Sequence, residues 1–296
     1  MQKEMITTEL GRIWPGWELG DFLGSGLGGR VYKAVRRVNG IVMDSAVKII
    51  AAPKSVSNED VEFYKSKADD GINEIKCLLK LRDCSQVVHL EDFALIKRDD
   101  DVKWDVYIRM ELLRSLTDYL AEKQRLREDE IVKLGLDFSK ALMQFEKNAI
   151  VQRDIKLENV FISEEGNYKL GDFGIAVMQE SFISTRKRGN QNYKAPESFW
   201  EGRYGKATDI YCLGILMYML ANGNVMPFFH SEYKAADDRE IEQAFHRRMH
   251  GEKIPDTRYA SKGLNRIILK AVSYKPEDRY PNAKALYEDL KEIQEK

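Results

Sequence analysis

Cysteine is scarce in this chain: three residues in 296, Cys77, Cys84 and Cys212, with no CxxC pair among them. An odd, scattered set cannot build a disulfide framework and points to a reducing compartment, the cytoplasm. Charge of one sign is not in excess either. Lys and Arg number 47 against 48 Asp and Glu, a net charge of -1 that excludes a bulk pull toward nucleic acid or an anionic membrane. Long apolar runs are missing. The longest, residues 210–221, is interrupted by Gly214 and falls short of the roughly 20 residues a bilayer needs, so it reads as a buried core helix and no membrane segment is expected in this chain. Residues 1–9 are polar and charged, unlike a secretory signal. No internal repeat or low-complexity tract occurs. What is present is an ordinary globular composition, 43% hydrophobic and 32% charged, in a length that suits one large domain or two small lobes folded as a unit.

The first third alternates strand signals with glycine. Phe22 and Leu23 run into a glycine cluster, residues 31–35 resume as a strand, and Val42 with residues 46–50 forms another. Asn39-Gly40 between them is a hairpin signal. From residue 58 to 81 the pattern turns helical, and 87–90, 93–96 and 106–110 read as short strands. The charged run 97–103 reads as a solvated loop. Beyond Leu113 helical patterns dominate, broken by an irregular island at 150–177 with two strand-like runs. The coarse map is a small β-rich lobe, a linker near 111–115 and a larger α-rich lobe, with the cleft between them a natural ligand site.

Five segments carry chemistry. Gly24-Ser25-Gly26-Leu27-Gly28-Gly29-Arg30-Val31 fits G-x-G-x-x-G-x-V, with Gly24, Gly26 and Gly29 as its glycines. Glycine lets backbone amides approach phosphate oxygens where side chains would clash. Dinucleotide-binding folds share this spacing but follow it with a helix, whereas residues 31–35 are β-prone. A plain glycine-rich hairpin stays open on these residues alone. In Ala46-Val47-Lys48-Ile49-Ile50 a lysine between β-branched residues faces a burial cost unless it meets anions. Phosphates would supply one partner and a helical carboxylate another. Glu74 is preferred to Glu62 because residues 68–71 are expected to break the helix. A surface lysine at a strand end is the alternative. The third segment is Val151-Gln152-Arg153-Asp154-Ile155-Lys156-Leu157-Glu158-Asn159-Val160-Phe161, and the fourth is Lys169-Leu170-Gly171-Asp172-Phe173-Gly174. Asn159 and Asp172 offer oxygen ligands of the kind a hard cation such as Mg²⁺ requires. The fifth is Lys194-Ala195-Pro196-Glu197.

In this order the segments resemble the eukaryotic-type (Hanks-type) serine/threonine protein kinase family over nearly the whole chain. The resemblance implies an α+β, bilobal kinase-like fold: a small antiparallel sheet lobe with one helix (residues 1–113) and a larger, mainly α-helical lobe (114–296). It implies that Gly24, Gly26 and Gly29 cover the ATP phosphates, and that Lys48 holds the α- and β-phosphates and pairs with Glu74. Asp172 and Asn159 would hold Mg²⁺, with Mn²⁺ as a substitute. Asp154 would take or orient the acceptor hydroxyl proton. Lys156, which follows the serine/threonine pattern, would neutralise the moving phosphoryl group. Met110 matches the gatekeeper, Glu111 and Leu113 the hinge whose backbone bonds adenine, and Val31, Ala46 and Phe161 the walls around the ring. Asp209 resembles the aspartate that braces the catalytic loop, and Glu197 with Arg279 the family's buried ion pair.

Partners implied are protein substrates, the chain itself among them. The activation segment, residues 172–197, holds Ser181, Ser184 and Thr185. A phosphate on Thr185 would pair with Arg153. Two departures stand out: Gln152 where the family usually has histidine, and Asn190 where serine/threonine kinases usually have threonine. The opening Trp14-Pro15-Gly16-Trp17-Glu18 is similar to the entry of bacterial members, many of which continue into a membrane segment, so the chain is expected to be a fragment candidate of a longer, receptor-like protein. A pseudokinase would lack Lys48, Asp154, Asn159 or Asp172, and all four are here. Small-molecule kinases lack the Ala-Pro-Glu segment. His246 and His250 sit four apart, but the intervening arginines and the missing glutamate disfavour a zinc site.

Overall fold

The computed structural model describes residues 2–26, 28–53, 57, 60–99, 104–179, 181–183, 189–230, 232 and 235–295, with 2–5 and 181–183 described by backbone alone. The chain folds as two compact units: residues 1–82, 88–113 and 172–174 in the first, and 83–87, 114–171 and 175–296 in the second.

The first unit contains α1 (Gln2–Ile13), β1 (Trp17–Gly26), β2 (Gly29–Val38), β3 (Ile41–Ile50), α2 (Val61–Lys80), β4 (Leu90–Lys97) and β5 (Trp104–Met110). The strands form one antiparallel sheet in the order β1-β2-β3-β5-β4. Asn39 and Gly40 both take positive φ at the β2–β3 turn, as the Asn-Gly pair foretells. The strand period of two then sorts β3. Val47 and Ile49 join Tyr32, Ala34 and Tyr107 in a cluster sealed by Ile6, Leu10, Trp14 and Trp17, so α1 covers this face of the sheet. Lys48 and Ile50 project to the opposite face, where α2 packs.

Two expectations change here. Residues 68–71 do not break α2, which runs unbroken across them. Gly71 is there for close approach: a Cβ at this position would lie 2.5 Å from Ile50 Cδ1 and 3.2 Å from Val106 Cγ1. Residues 87–90 do not form a strand. Val87 makes an isolated parallel bridge to Leu170, and the ladder of β4 starts at Leu90.

The second unit holds β6 (Arg114–Ser115), α3 (Leu116–Lys123), α4 (Glu128–Lys147), β7 (Val160–Ile162), β8 (Tyr168–Leu170), β9 (Ser181–Ile183), α5 (Pro196–Trp200), β10 (Arg203–Gly205), α6 (Lys206–Ala221), α7 (Asp238–Met249), α8 (Lys262–Ala271) and α9 (Ala283–Gln294). Ser115, Asp237, Ser261 and Asn282 cap α3, α7, α8 and α9 through side-chain oxygens, the starts that these residue types favour. The apolar stretch read as a core helix is α6, buried throughout from Thr208 to Ala221. Its Gly214 admits α8: a Cβ would sit 2.7 Å from Val272 Cγ1 and 2.9 Å from Ala271 Cβ. Among the described residues no helix is long and apolar enough to cross a membrane.

Candidate functional site

In the first unit the inner face of the sheet gathers one ion-paired cluster, an ammonium between two carboxylates. Lys48, only 6% exposed, donates to Glu74 Oε2 at 2.6 Å and to Asp172 Oδ1 at 3.0 Å. Glu74 comes from α2, and its other oxygen accepts the Phe173 N–H at 3.4 Å. Burial alone would pull the Lys48 ammonium down. The carboxylates of Asp172 and Glu74 outweigh it, and the group stays firmly protonated. Burial pushes the Glu74 carboxyl up, and Lys48 offsets this only in part.

The glycine-rich turn reaches this cluster. A Cβ on Gly28 would lie 2.7 Å from Lys48 Nζ and 3.6 Å from Asp172 Oδ1, and one on Gly29 would lie 2.6 Å from the Ile49 carbonyl. The backbone therefore passes close to the ammonium at Gly28, and at Gly29, with φ +123° and a backbone carbonyl in the way, glycine is required. Gly24 and Gly26 meet nothing within 4 Å. The sterically demanding pair is thus Gly28 and Gly29, and Gly28 is the one that motif spacing passes over, because it occupies a variable position of the pattern. This cradle suits an anionic phosphate chain, and the Asp172 carboxylate beside it suits a divalent cation. On the same face Val31 lies across from Lys48, and Ala46 across from Met110. Glu111 is tied back to His89, donating its N–H to the His89 carbonyl at 3.1 Å and accepting the His89 N–H at 2.6 Å. Leu113 is half-buried beyond it.

The second unit gathers the remaining candidates in one loop. Lys156 donates to Asp154 Oδ2 at 2.6 Å, and Asn159 Nδ2 donates to the Asp154 carbonyl at 2.9 Å and to its Oδ2 at 3.0 Å. With its nitrogen so engaged, the Asn159 amide has its Oδ1 for a cation. Phe161 follows on β7, half-buried. Asp209 braces the loop from the first turn of α6, accepting the Gln152 N–H at 2.8 Å and the Arg153 N–H at 2.9 Å. Burial pushes its carboxyl up to about 6 against the pull of these two bonds. Gln152 is wholly buried and donates toward the Gly171 carbonyl at 3.5 Å. Arg153 is itself buried. It donates from Nε to the Ile175 carbonyl at 2.7 Å and lies 5.2 Å from the Tyr204 ring centroid. Asn190 Oδ1 accepts the Asn192 N–H at 2.9 Å. Ser184 and Thr185 lie outside the described residues.

Other groups are chemically quiet. Burial pushes the thiol of Cys77 up to about 11, raises that of Cys84 and raises that of Cys212 well above its ordinary range, which disfavours thiolate chemistry. His246 and His250 stack at 3.8 Å. Among the described residues no group of three or more His, Cys, Asp or Glu is placed to hold a metal.

The protein kinase domain family model matches residues 17–290. The chain belongs to the protein kinase family. This kinase chain is 31% identical over 294 residues to a probable serine/threonine-protein kinase of Clostridium perfringens, covering 94% of the chain and 38% of that protein. It is 31% identical to an SNF1-related protein kinase catalytic subunit alpha of Arabidopsis thaliana, over 82% of the chain and 44% of the relative. It is 27% identical to the serine/threonine-protein kinase PrkC of Bacillus subtilis, over 90% and 39%. The chain thus spans less than half the length of these relatives. The kinase family uses ATP with a divalent metal, and the clusters around Lys48 and Asp154 carry the donor chemistry for both. The helix α1 precedes the matched region, and its register was not legible as a helix: only Ile6, Leu10 and Trp14 mark its buried stripe.

Proposed function

We propose that this chain is an ATP-dependent protein kinase that phosphorylates serine and threonine hydroxyls of protein substrates. The observation that carries the reading is the buried Lys48 ammonium, held by Glu74 and Asp172 beside a glycine-rich turn whose Gly28 approaches it so closely that a Cβ would lie 2.7 Å from Nζ. A lysine fixed by Glu74 beside a close glycine backbone offers an ammonium to a polyphosphate, and the Asp172 carboxylate offers a ligand to the divalent cation that would accompany it. Lys48 holds the α- and β-phosphates, and Gly24, Gly26, Gly28 and Gly29 cover them. Val31, Ala46, Met110 and Phe161 enclose the adenine, and the backbone of Glu111 and Leu113 reads its edge. Asp172 and Asn159 hold Mg²⁺, for which Mn²⁺ can substitute. The cation, when bound, neutralises phosphate charge.

The acceptor oxygen attacks the γ-phosphorus, the bond from that phosphorus to the β–γ bridging oxygen breaks, and ADP departs. The hydroxyl proton passes to Asp154, whose carboxylate Lys156 and Asn159 hold in place. Lys156 also faces the phosphoryl group as its charge shifts. Positioning and charge neutralisation carry such a reaction. The serine/threonine assignment rests on Lys156 and on the names of the relatives. In the same reading the enzyme works in the cytoplasm, binds no nucleic acid, and is regulated by phosphorylation of its activation segment, with Thr185 as a site that the chain itself modifies.

The test is transfer of labelled phosphate from ATP to dephosphorylated casein, followed by phosphoamino-acid analysis. Wild type should label serine and threonine, and Asp154→Asn should lose about two to three orders of magnitude in rate. Equal labelling by the two proteins, or none by wild type with either Mg²⁺ or Mn²⁺, would refute the assignment.

A further inference from the structure

Arg248, on α7, is 4% exposed, and its hydrogen bonds run to neutral oxygens. Nη1 donates to the Lys194 carbonyl at 3.2 Å and to the Tyr211 hydroxyl at 3.3 Å, and Nη2 donates to the Gln191 carbonyl at 3.0 Å. A buried guanidinium compensated in this way gains little stability for its desolvation. What it does supply is a planar fork spanning two carbonyls of one turn. That turn, residues 189–194, closes on itself through Tyr193 N–H to the Asn190 carbonyl at 3.2 Å and Lys194 N–H to the Gln191 carbonyl at 3.3 Å.

The same turn is wired to the loop that carries Asp154 and Lys156. The Leu157 N–H donates to the Tyr193 hydroxyl at 3.3 Å. Cys212 Sγ, on α6, donates to the Tyr193 carbonyl at 3.3 Å. Gly189 takes φ +96°, and a Cβ there would lie 2.9 Å from the Arg153 carbonyl. Backbone contacts and neutral side chains therefore fix the turn on two sides, and Arg248 is the charged group that fixes it on the third.

We infer that Arg248 is a positioning residue for the protein substrate: it sets the turn 189–194, and through Tyr193 the register of the loop at Asp154, so that the acceptor segment is held with its hydroxyl at that carboxylate. The inference rests on the kinase reading above. Among the described residues, Lys48 and Glu74, which serve the phosphates in that reading, and the glycine-rich turn make no hydrogen bond to this network, so KM for ATP should move far less than KM for the protein substrate.

The experiment compares wild type, Arg248→Met and Arg248→Lys, with casein and ATP varied separately and active sites titrated. Losing the fork should raise KM for casein about tenfold while KM for ATP stays within about twofold. A role confined to folding would instead lower the active fraction and leave both KM values unchanged, and that result overturns the inference. If Arg248→Met does not fold, Arg248→Lys decides. It keeps the cation but cannot bridge both carbonyls, so a severalfold rise in KM for casein supports the inference and an unchanged KM overturns it. Asp154→Asn separates the two levels. Transfer surviving in that variant removes the kinase reading and this inference with it. Transfer lost there, with KM for casein unchanged in the Arg248 variants, removes this inference alone.

Discussion

Replacing Glu197 by glutamine isolates what a buried charge contributes to the second unit. Glu197 accepts two Arg279 N–H groups at 2.8 Å each, and the two side chains are 4% and 0% exposed. Glutamine keeps the shape and removes the charge. Arg279 cannot release its proton, so a buried cation is left with the carbonyls of Ser273 at 2.8 Å, Ala207 at 2.8 Å and Tyr274 at 3.0 Å, and one of its N–H groups faces an amide NH₂. Breaking a buried pair from one side costs about 3–5 kcal/mol, and three surviving carbonyls place this case near 3 kcal/mol. Urea unfolding followed by tryptophan fluorescence, at an unchanged m-value, reads the loss. Glu201→Gln is the control. Its partner Arg203 is 52% exposed and Glu201 55%, so the expected cost is under about 1 kcal/mol. The double variant Glu197→Gln with Arg279→Met buries no charge and should cost less than the two single changes added together. A Glu197→Gln loss no larger than that of Glu201→Gln, or strict additivity in the double variant, would refute the reasoning.

Asp209 should titrate near pH 6, and a carboxyl NMR titration with an ordinary midpoint near 4 would refute this. Because its folded pKa is raised, the site costs nothing below the unfolded carboxyl range and its full penalty, about 3 kcal/mol, above pH 6. Stability at this site therefore falls as pH rises from 4 to 6, a slope that Asp209→Asn should abolish when urea midpoints are compared across that window. Gly71→Ala should destabilise the first unit by about 1–3 kcal/mol, because its Cβ intrudes on Ile50 and Val106. An unfolding midpoint equal to wild type would mean that the helix shifts freely. Incubation with ATP and Mg²⁺ should add a phosphate mass to the peptide bearing Thr185. A fully active preparation with Thr185 unmodified would remove the proposed self-phosphorylation.

Most strands of the sheet and the helices α2 and α6 were legible because their signals are local. Asn39-Gly40 declared a hairpin, and the apolar spacing of residues 72–81 declared the second half of α2. The errors came from residues whose conformation is decided by what packs on them. Gly71 reads as a helix breaker, since glycine costs about 1 kcal/mol in a helix interior. Here α2 lies so close to β3 and β5 that a Cβ would displace the Ile50 and Val106 side chains, and packing overrides propensity. The helix α1 shows only a narrow stripe, Ile6 and Leu10, which pack beside Trp14 and Trp17, and those two rings flank Arg109. The guanidinium lies 5.3 and 4.4 Å from their ring centroids and 3.1 Å from Glu91, while Trp14 Nε1 donates to Asp92 at 2.8 Å. A register shift between Leu90 and Asp92 brings both carboxylates to that guanidinium, and nothing in the sequence marks a bulge there. For the site, the need of a strand-borne lysine for an anion points to a partner for Lys48, and the structure supplies Glu74 at 2.6 Å. The helix break used to prefer Glu74 over Glu62 does not occur, since α2 runs through residues 68–71. Gly28 was missed because a motif counts positions, whereas the steric demand falls wherever the turn meets Lys48.

The buried charges of this kinase divide by the kind of partner they have, and the division tracks what each one holds. Lys48 and Arg279 meet carboxylates, so each fixes a side chain carried on another segment: Glu74 on α2 and Glu197 on α5. Asp209 and Arg248 meet peptide groups. Asp209 takes the N–H groups of residues 152 and 153, and Arg248 the carbonyls of 191 and 194. A charge–peptide bond offsets the desolvation of the ion less than a paired opposite charge does, and at Asp209 burial outweighs both its two N–H donors and the nearby Arg153. It does define the path of a backbone segment from outside that segment. These ions act on irregular chain, where no ladder or helix fixes φ and ψ; the buried Arg153, which meets the Ile175 carbonyl, holds a positive φ there. Among the described residues, the loop at 152–159 and the turn at 189–194 are therefore places where this fold accepts an energetic loss for position. Substitutions at Asp209 and Arg248 should accordingly impair catalysis out of proportion to the stability they remove.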